Sequence, residues 1–358
     1  MAVSDSRPEP VTLGGREVGP GLPTFVIAEL SANHGQSLEQ ALRLVDLAAK
    51  AGADAVKLQT YTPDTMTLDV DLPAFRIGPG TLWEGRRLAD LYAEAMTPWE
   101  WYPQLAAAAE ASGLVLFSTP FDATAVDFLE GHEAPAYKIA SFELLDLPLI
   151  RRAAATGKPL IMSTGMATAD EIDAAVDAAV ETGAGGVVLL RCNSAYPASP
   201  EEMDLRTIPD MAARWSLPIG LSDHTLGLTA VTVALALGAC VVEKHLTESR
   251  AVPGPDSAFS LEPEEFADMV AAVREVEAAL GKVRYGPSPS EEPSLAFRRS
   301  LWITAPVRAG ATLDGSNVGA LRPAGGLPPG EIDRVLGRRA ARDLDIGTPV
   351  TWDALAPE

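Results

Sequence analysis

Eight short apolar runs in this chain end in side chains able to do chemistry. Glu29 closes the first, with Asn33 and His34 just beyond, and Lys57 and Gln59 sit in the second. Ser118-Thr119-Pro120 ends the third, and Lys138, Ser141 and Glu143 belong to the fourth. Ser163-Thr164-Gly165, Arg191-Cys192-Asn193-Ser194, Ser222-Asp223-His224 and Glu243-Lys244-His245 end the remaining four. Residues two apart on a strand share a face, which pairs Lys57 with Gln59 and Glu243 with His245. A lysine inside an apolar run is costly to bury unless paired or neutralised. One alone would serve equally well as an ion-pair partner of Glu29 or Glu243. Lys57 and Lys138 together, flanked by Thr119, Ser141, Ser163 and Ser222, suit an anion of two or more charges. A single histidine is usually a core residue, and His132 is read so. His224 and His245 at neighbouring strand ends, with carboxylates close by, have the donor types of a divalent-cation site. The set as a whole suits a phosphate- or carboxylate-bearing substrate and a metal that activates water or polarises a carbonyl.

The elements that must position these residues alternate. Strand candidates begin at Phe25, Ala55, Leu114, Ala136, Pro159, Gly186, Pro218 and Cys240, and Ala-rich helical segments separate them. Continuous apolar runs of this kind suit parallel strands covered on both faces. Ser37 with Gln40, Thr97 with Glu100 and Thr168 with Glu171 read as capping boxes, with Pro98 at a first helical position. Leu228 to Val242 reads as a core helix running into a buried strand. Eight strand–helix units over about 260 residues predict a TIM (β/α)8 barrel, whose active site lies at the C-terminal strand ends. An open doubly wound sheet is the alternative, but no GxGxxG follows the first strand. The Pro/Ser-rich stretch around Tyr285–Ser294 reads as a tether. Beyond it, Ser300-Leu-Trp-Ile-Thr304 and Thr348-Pro-Val-Thr-Trp352 predict a small all-β module. The expected division is barrel 1–282, linker 283–298 and module 299–358.

Composition narrows the partners. A formal charge of −21 over 358 residues argues against nucleic acid and anionic membranes, which need clustered Lys and Arg. Two cysteines cannot form a disulfide framework here, and residues 1–24 lack an apolar signal core, so the expected compartment is the cytoplasm.

Several runs are specific enough to indicate a family. Ile27-Ala-Glu-Leu-Ser-Ala-Asn-His34, Ala55-Val-Lys-Leu-Gln-Thr60, Ser118-Thr-Pro-Phe121, Tyr137-Lys-Ile-Ala-Ser141, Ser163-Thr-Gly-Met166, Gly220-Leu-Ser-Asp-His-Thr225 and Gly254-Pro-Asp256 together resemble the sialic acid synthase family. The tail from about Arg298, with Arg322-Pro323, is similar to that family's antifreeze-like (SAF, β-clip) domain. Leu82-Trp-Glu-Gly-Arg86, Thr97-Pro-Trp-Glu-Trp101 and Gly347-Thr-Pro-Val-Thr-Trp-Asp353 resemble the branch acting on a 2,4-diacetamido-2,4,6-trideoxy hexose of L-altro configuration. Asp256-Ser-Ala-Phe-Ser-Leu-Glu-Pro263 belongs to the same comparison.

The resemblance implies condensation of phosphoenolpyruvate with an amino sugar, giving a nonulosonic acid and phosphate. It implies that His224 and His245 hold Mn2+ or Mg2+. Lys57, Thr119, Lys138 and Ser141 would bind the phosphoenolpyruvate carboxylate, with Ser163, Ser222 and Ser194 toward its phosphate; sialic acid synthases proper carry Asn at the Ser194 position. Glu29, Gln59, Glu143, Tyr196 and Asp256 would face the sugar or metal, Glu29 serving to orient or deprotonate water. Arg322 would reach the sugar in the partner of a domain-swapped homodimer. An acidic shell is then expected around a local positive cluster of Lys57, Lys138, Arg322 and metal. Alternatives are a synthase for N-acetylneuraminate or legionaminate, a Schiff-base aldolase using Lys57 or Lys138, and a non-catalytic carbohydrate-binding protein.

Overall fold

The computed structural model describes residues 8–357; the first seven residues of the expected barrel segment and the last residue of the module lie outside the described residues. The chain divides between Gly281 and Lys282 into two compact units. In the first, β1 (Val11–Leu13) and β2 (Arg16–Val18) form an antiparallel hairpin. Eight parallel strands follow: β3 (Phe25–Glu29), β4 (Ala55–Thr60), β5 (Val115–Pro120), β6 (Tyr137–Ile139), β7 (Leu160–Ser163), β8 (Val187–Cys192), β9 (Ile219–Asp223) and β10 (Val241–His245). They close into a barrel in sequence order, with β10 pairing back onto β3. This is the (β/α)8 architecture expected from the alternating pattern, and the barrel strands begin at or within one residue of their expected starts.

Two-residue alternation divides each strand between two cores. Val26, Ala28, Val56, Leu58, Val187, Leu189 and Val242 face outward against the helices. Phe25, Ile27, Ala55, Phe117, Ile161, Val188 and Val241 face inward, where Val11, Leu13 and Val18 of the hairpin join them. The hairpin therefore plugs the N-terminal end of the barrel, a role that a Gly/Pro-rich segment did not advertise. Close approach explains two glycines. A Cβ on Gly186 would lie 2.7 Å from Val11 Cγ1, and one on Gly220 would lie 2.6 Å from Val241 O.

The caps differ in detail. Thr168 and Glu171 make the full reciprocal box. Ser37 caps Gln40 N, but the Gln40 side chain turns to Glu248. Thr97 caps nothing: it is buried against His34, Pro98 precedes a 3-10 turn at Trp99–Trp101, and the α-helix starts at Tyr102. A short helix at Thr229–Ala236 leads toward β10, as expected for the apolar stretch.

In the second unit, β11 (Ser300–Ile303) pairs antiparallel with β12 (Val318–Leu321), and isolated bridges add Pro349, Leu344 and Leu355. One short helix, Ile332–Val335, accompanies them. The tether region is more structured than its composition suggested. Glu292–Phe297 forms a 3-10 helix, and Ala296 O accepts from Ala324 N. No helix among the described residues is long and apolar enough to cross a membrane.

Candidate active site

Above the apolar inner core, the same inward positions become polar, as the two-residue period demands. Lys57 follows Ala55, Lys138 follows Ala136, Cys192 follows Leu190, and Glu243 and His245 follow Val241. They open onto a cavity of about 960 Å³. Its lining brings together Glu29, Lys57, Gln59, Thr119, Lys138, Ser141, Glu143, Ser194, Tyr196, Ser222, His224, His245 and Asp256. Two expected residues do not line it. Ser163 is buried with its hydroxyl unpartnered, and Arg322 is exposed in the other unit at the end of β12.

Register sets the deepest contacts. Glu29 lies opposite both Lys57 and His245 in the sheet. Lys57 Nζ is 2.6 Å from Glu29 Oε2 and 3.7 Å from Glu243 Oε1, and donates to Thr119 Oγ1 at 3.1 Å. Lys138 Nζ is 3.6 Å from Glu243 Oε1 and donates only at 3.4 Å, to Ile139 O. Both the ion-pair and the anion readings of the lysines therefore have a geometric basis. Each cation has a buried carboxylate beside it, so the lysines alone do not make the locally positive cluster expected from the sequence.

Burial disfavours the charged form of Lys57, but Glu243 and Glu29 outweigh it and hold its pKa above the ordinary value. In Lys138 burial prevails, aided by repulsion from Lys57, and the pKa falls. Burial, reinforced by Glu243, raises Glu29 despite Lys57. Glu143 is pushed up to about 7, chiefly by burial, and its Oε2 has no hydrogen-bond partner. A group so placed can exchange a proton near neutral pH.

The two histidine rings lie 5.4 Å apart, centroid to centroid. His224 Nδ1 is 2.8 Å from Asn193 O, and His245 Nδ1 is 3.1 Å from Ser31 Oγ. Burial holds the His245 pKa well below its usual value, with His224, Lys57, Lys138 and Lys244 adding to the effect, so its imidazole is neutral. Nδ1 engaged and Nε2 left over is the arrangement of metal-binding imidazoles. Glu243 Oε2 is also buried without a hydrogen bond. No group of three or more His, Cys, Asp or Glu in metal-binding geometry occurs among the described residues. Two imidazoles so oriented fit a divalent cation that takes its remaining ligands from substrate and water.

Two serine hydroxyls of the lining meet over Gly165. Gly165 N donates to Ser141 Oγ at 3.1 Å, and a Cβ on Gly165 would stand 2.2 Å from Ser194 Oγ. Glycine here leaves room for the hydroxyls of Ser141 and Ser194, both of which line the cavity.

The sequence left several lining residues unassigned: Glu243, treated only as an ion-pair partner, and Cys192, Tyr61, Tyr92, Trp83 and Phe259. Face-sharing with His245 already pointed to Glu243. The aromatics carry no such signal, because a loop aromatic reads as packing until the cavity is visible. His34 does not enter the cavity: it is buried between Gln36 N and Thr97 Oγ1, and burial lowers its pKa to about 4. His132 packs against Tyr102 and Phe128, as a structural histidine should.

Comparison with known proteins adds an independent line. The sequence profile of the NeuB family matches residues 44–285, and that of the SAF domain matches residues 298–356. The chain is 42% identical to a pseudaminic acid synthase of Campylobacter jejuni, over 90% of its own length and 94% of the relative's. It is 35% identical to an N,N'-diacetyllegionaminic acid synthase of Legionella pneumophila, covering 94% and 95% of the two chains. The crystal structure of an N-acetylneuraminic acid synthetase from Leptospira borgpetersenii aligns with a TM-score of 0.72 at 30% identity, over 81% of this chain and 96% of that one.

Proposed function

The chain belongs to the NeuB family, and on that premise we propose that it acts as a pseudaminic acid synthase. It is an enzyme that forms a carbon–carbon bond. It condenses phosphoenolpyruvate with 2,4-diacetamido-2,4,6-trideoxy-L-altrose and water, releasing phosphate. The observation that carries the chemistry is the convergence of Lys57, Lys138, His224 and His245 on one cavity lined by Ser141, Ser194 and Ser222. The 42% identity to a pseudaminic acid synthase supports the choice of sugar.

C3 of phosphoenolpyruvate attacks the sugar aldehyde, C2 becomes electrophilic, water adds there, and the C2–O bond to phosphate breaks. Lys57, Thr119, Lys138 and Ser141 hold the carboxylate. Ser222 and Ser194 take the phosphate, and Ser163 supports this side from behind. His224 and His245 would hold a divalent cation, manganese or magnesium, which would supply Lewis-acid polarisation of the aldehyde. Glu29, fixed by Gln59 Nε2 at 3.0 Å, orients the water or takes its proton. Glu143 with a pKa near 7 can protonate the new alkoxide. Gln59, Tyr196 and Asp256 face the sugar. Both reactants lie in one cavity, which supplies the proximity that a two-substrate condensation requires. The partner subunit's Arg322 completes the sugar site in a swapped homodimer, and the enzyme works in the cytoplasm.

Phosphate release from phosphoenolpyruvate, measured with a panel of diacetamido and monoacetamido sugars, tests this reading. Release is expected with the diacetamido trideoxy sugar, lost with EDTA and restored by Mn2+. Turnover confined to a monoacetamido hexose would move the chain to another branch.

One observation favours a second reading. The lowered pKa of buried Lys138 is the property of a Schiff-base lysine. Borohydride trapping of a substrate adduct on Lys138, with activity unaffected by EDTA, would favour an aldolase and sink the synthase.

A further inference from the structure

The cavity is chemically divided, and the division has a source in one segment. None of the side chains that residues 66–95 turn toward it is charged; they include Ile77, Leu82, Trp83, Leu88 and Leu91. The segment itself is rich in charge, but those groups engage one another. Arg76 pairs with Asp71 at 2.7 Å, Arg86 with Glu94, and Arg87 with Asp69 at 2.8 Å and Asp90 at 2.5 Å, while Glu84 accepts from Gly80 N. Such exposed pairs contribute little stability. They do leave an apolar face for the cavity.

Trp83 is the centre of that face. Its indole N–H is committed to Pro255 O at 2.8 Å, so carbon atoms are what it offers a ligand. Its ring lies 5.8 Å from Tyr196 and 6.4 Å from Phe259. Those rings in turn lie 4.3 Å from His224 and 5.0 Å from His245. Trp83 is thus one aromatic layer removed from the two histidines.

We propose that Trp83 and its apolar neighbours bind the C6 end of the sugar and select a methyl group there over a hydroxymethyl group. The inference rests on the condensation proposed above. With the aldehyde carbon at the histidines, a six-carbon chain extended past Tyr196 and Phe259 reaches this wall. A C6 methyl finds carbon contacts, whereas a C6 hydroxyl loses water and gains no charged partner from this segment. The segment's polar side-chain atoms at the cavity are the neutral hydroxyls of Thr81 and Tyr92. An apolar pocket discriminates against one added hydroxyl by about 10- to 100-fold.

The test compares kcat/KM for the diacetamido trideoxy sugar and its 6-hydroxy counterpart at saturating phosphoenolpyruvate. Wild type, Trp83→Leu and Trp83→Gln are measured side by side. The expected wild-type preference for the 6-deoxy sugar is about 10- to 100-fold. Trp83→Leu should keep most of it, while Trp83→Gln, of similar size but polar, should lose nearly all of it. The KM for phosphoenolpyruvate should not change in either variant. Leu82→Gln, at a half-exposed rim position, should act in the same sense and serves if Trp83→Gln does not fold. Equal turnover of the two sugars by wild type overturns the inference but leaves the synthase reading standing. Equal loss of preference in the Leu and Gln variants, or full retention in the Gln variants, overturns it as well. Absence of phosphate release with either sugar removes both.

Discussion

At the scale of single residues, two groups carry the sharpest consequences. His245 offers a neutral imidazole with Nδ1 already engaged, so its removal should delete function without unfolding the barrel. His245→Ala is expected to lose at least about a hundredfold in turnover, of the order seen when metal affinity is disturbed. Mn2+ should raise the melting temperature of the wild type, and this variant should lose that rise. Full activity in this variant would remove the metal assignment. Glu143 bears on stability as well as on chemistry. Its native pKa of about 7 exceeds the value of 4.5 for the unfolded chain. Between those two values the native state binds the extra proton, so this group's contribution to stability falls as pH rises through the window. Glu143→Gln, which keeps the shape without the charge, should therefore gain melting temperature relative to wild type from pH 5 to pH 7. The gap should stay constant above that, and thermal scans showing a gap that does not change with pH would contradict the assignment. The polar strand ends could be read from the sequence because a Lys or Glu inside an apolar run has no cheap explanation. Trp83 could not, because its importance depends on where the Pro255 carbonyl lies.

At the scale of elements, the strand-and-cap pattern was legible wherever local chemistry decides. β-branched runs gave the strands, and Thr168 with Glu171 gave a helix start. It failed where tertiary contacts decide. Thr97 was read as a cap, but His34 claims its hydroxyl. The β1–β2 hairpin carried no barrel signal, because its partners are the inward residues of strands far away in sequence. Leu13 is wholly buried in that plug. Leu13→Ala should cost about 2–5 kcal/mol, read as a lower midpoint in urea denaturation. KM values should barely move, because the hairpin lies at the end of the barrel opposite the site. A large rise in KM for either substrate would mean that the plug also shapes the cavity.

For the whole molecule, a charge of −21 surrounds a site whose lysines are already matched by carboxylates. Nothing long-ranged then draws in an anion, and added salt has only repulsion to screen. kcat/KM for phosphoenolpyruvate should stay flat or rise up to a few-fold between 0.05 and 0.5 M salt, roughly the range over which screening becomes complete. A tenfold fall would show attractive steering. The swapped homodimer proposed above predicts that Arg322→Ala raises the sugar KM much more than the phosphoenolpyruvate KM. The two units could be anticipated from composition, whereas the neutralised lysines depend on a cross-strand register that no single strand encodes. That register also has a safeguard of its own. On β10, Glu243 and His245 face the cavity while Lys244 points the other way, fully buried, with Nζ 2.5 Å from Asp223 Oδ2 on β9. β10 is the strand that closes the ring onto β3. If it closed one residue out of step, an ammonium would enter the site, and Glu243 and His245 would turn toward the helices, away from Lys57 and Lys138. The register that buries the Lys244–Asp223 pair is thus the same one that assembles the site, so one pairing wires both faces of the strand.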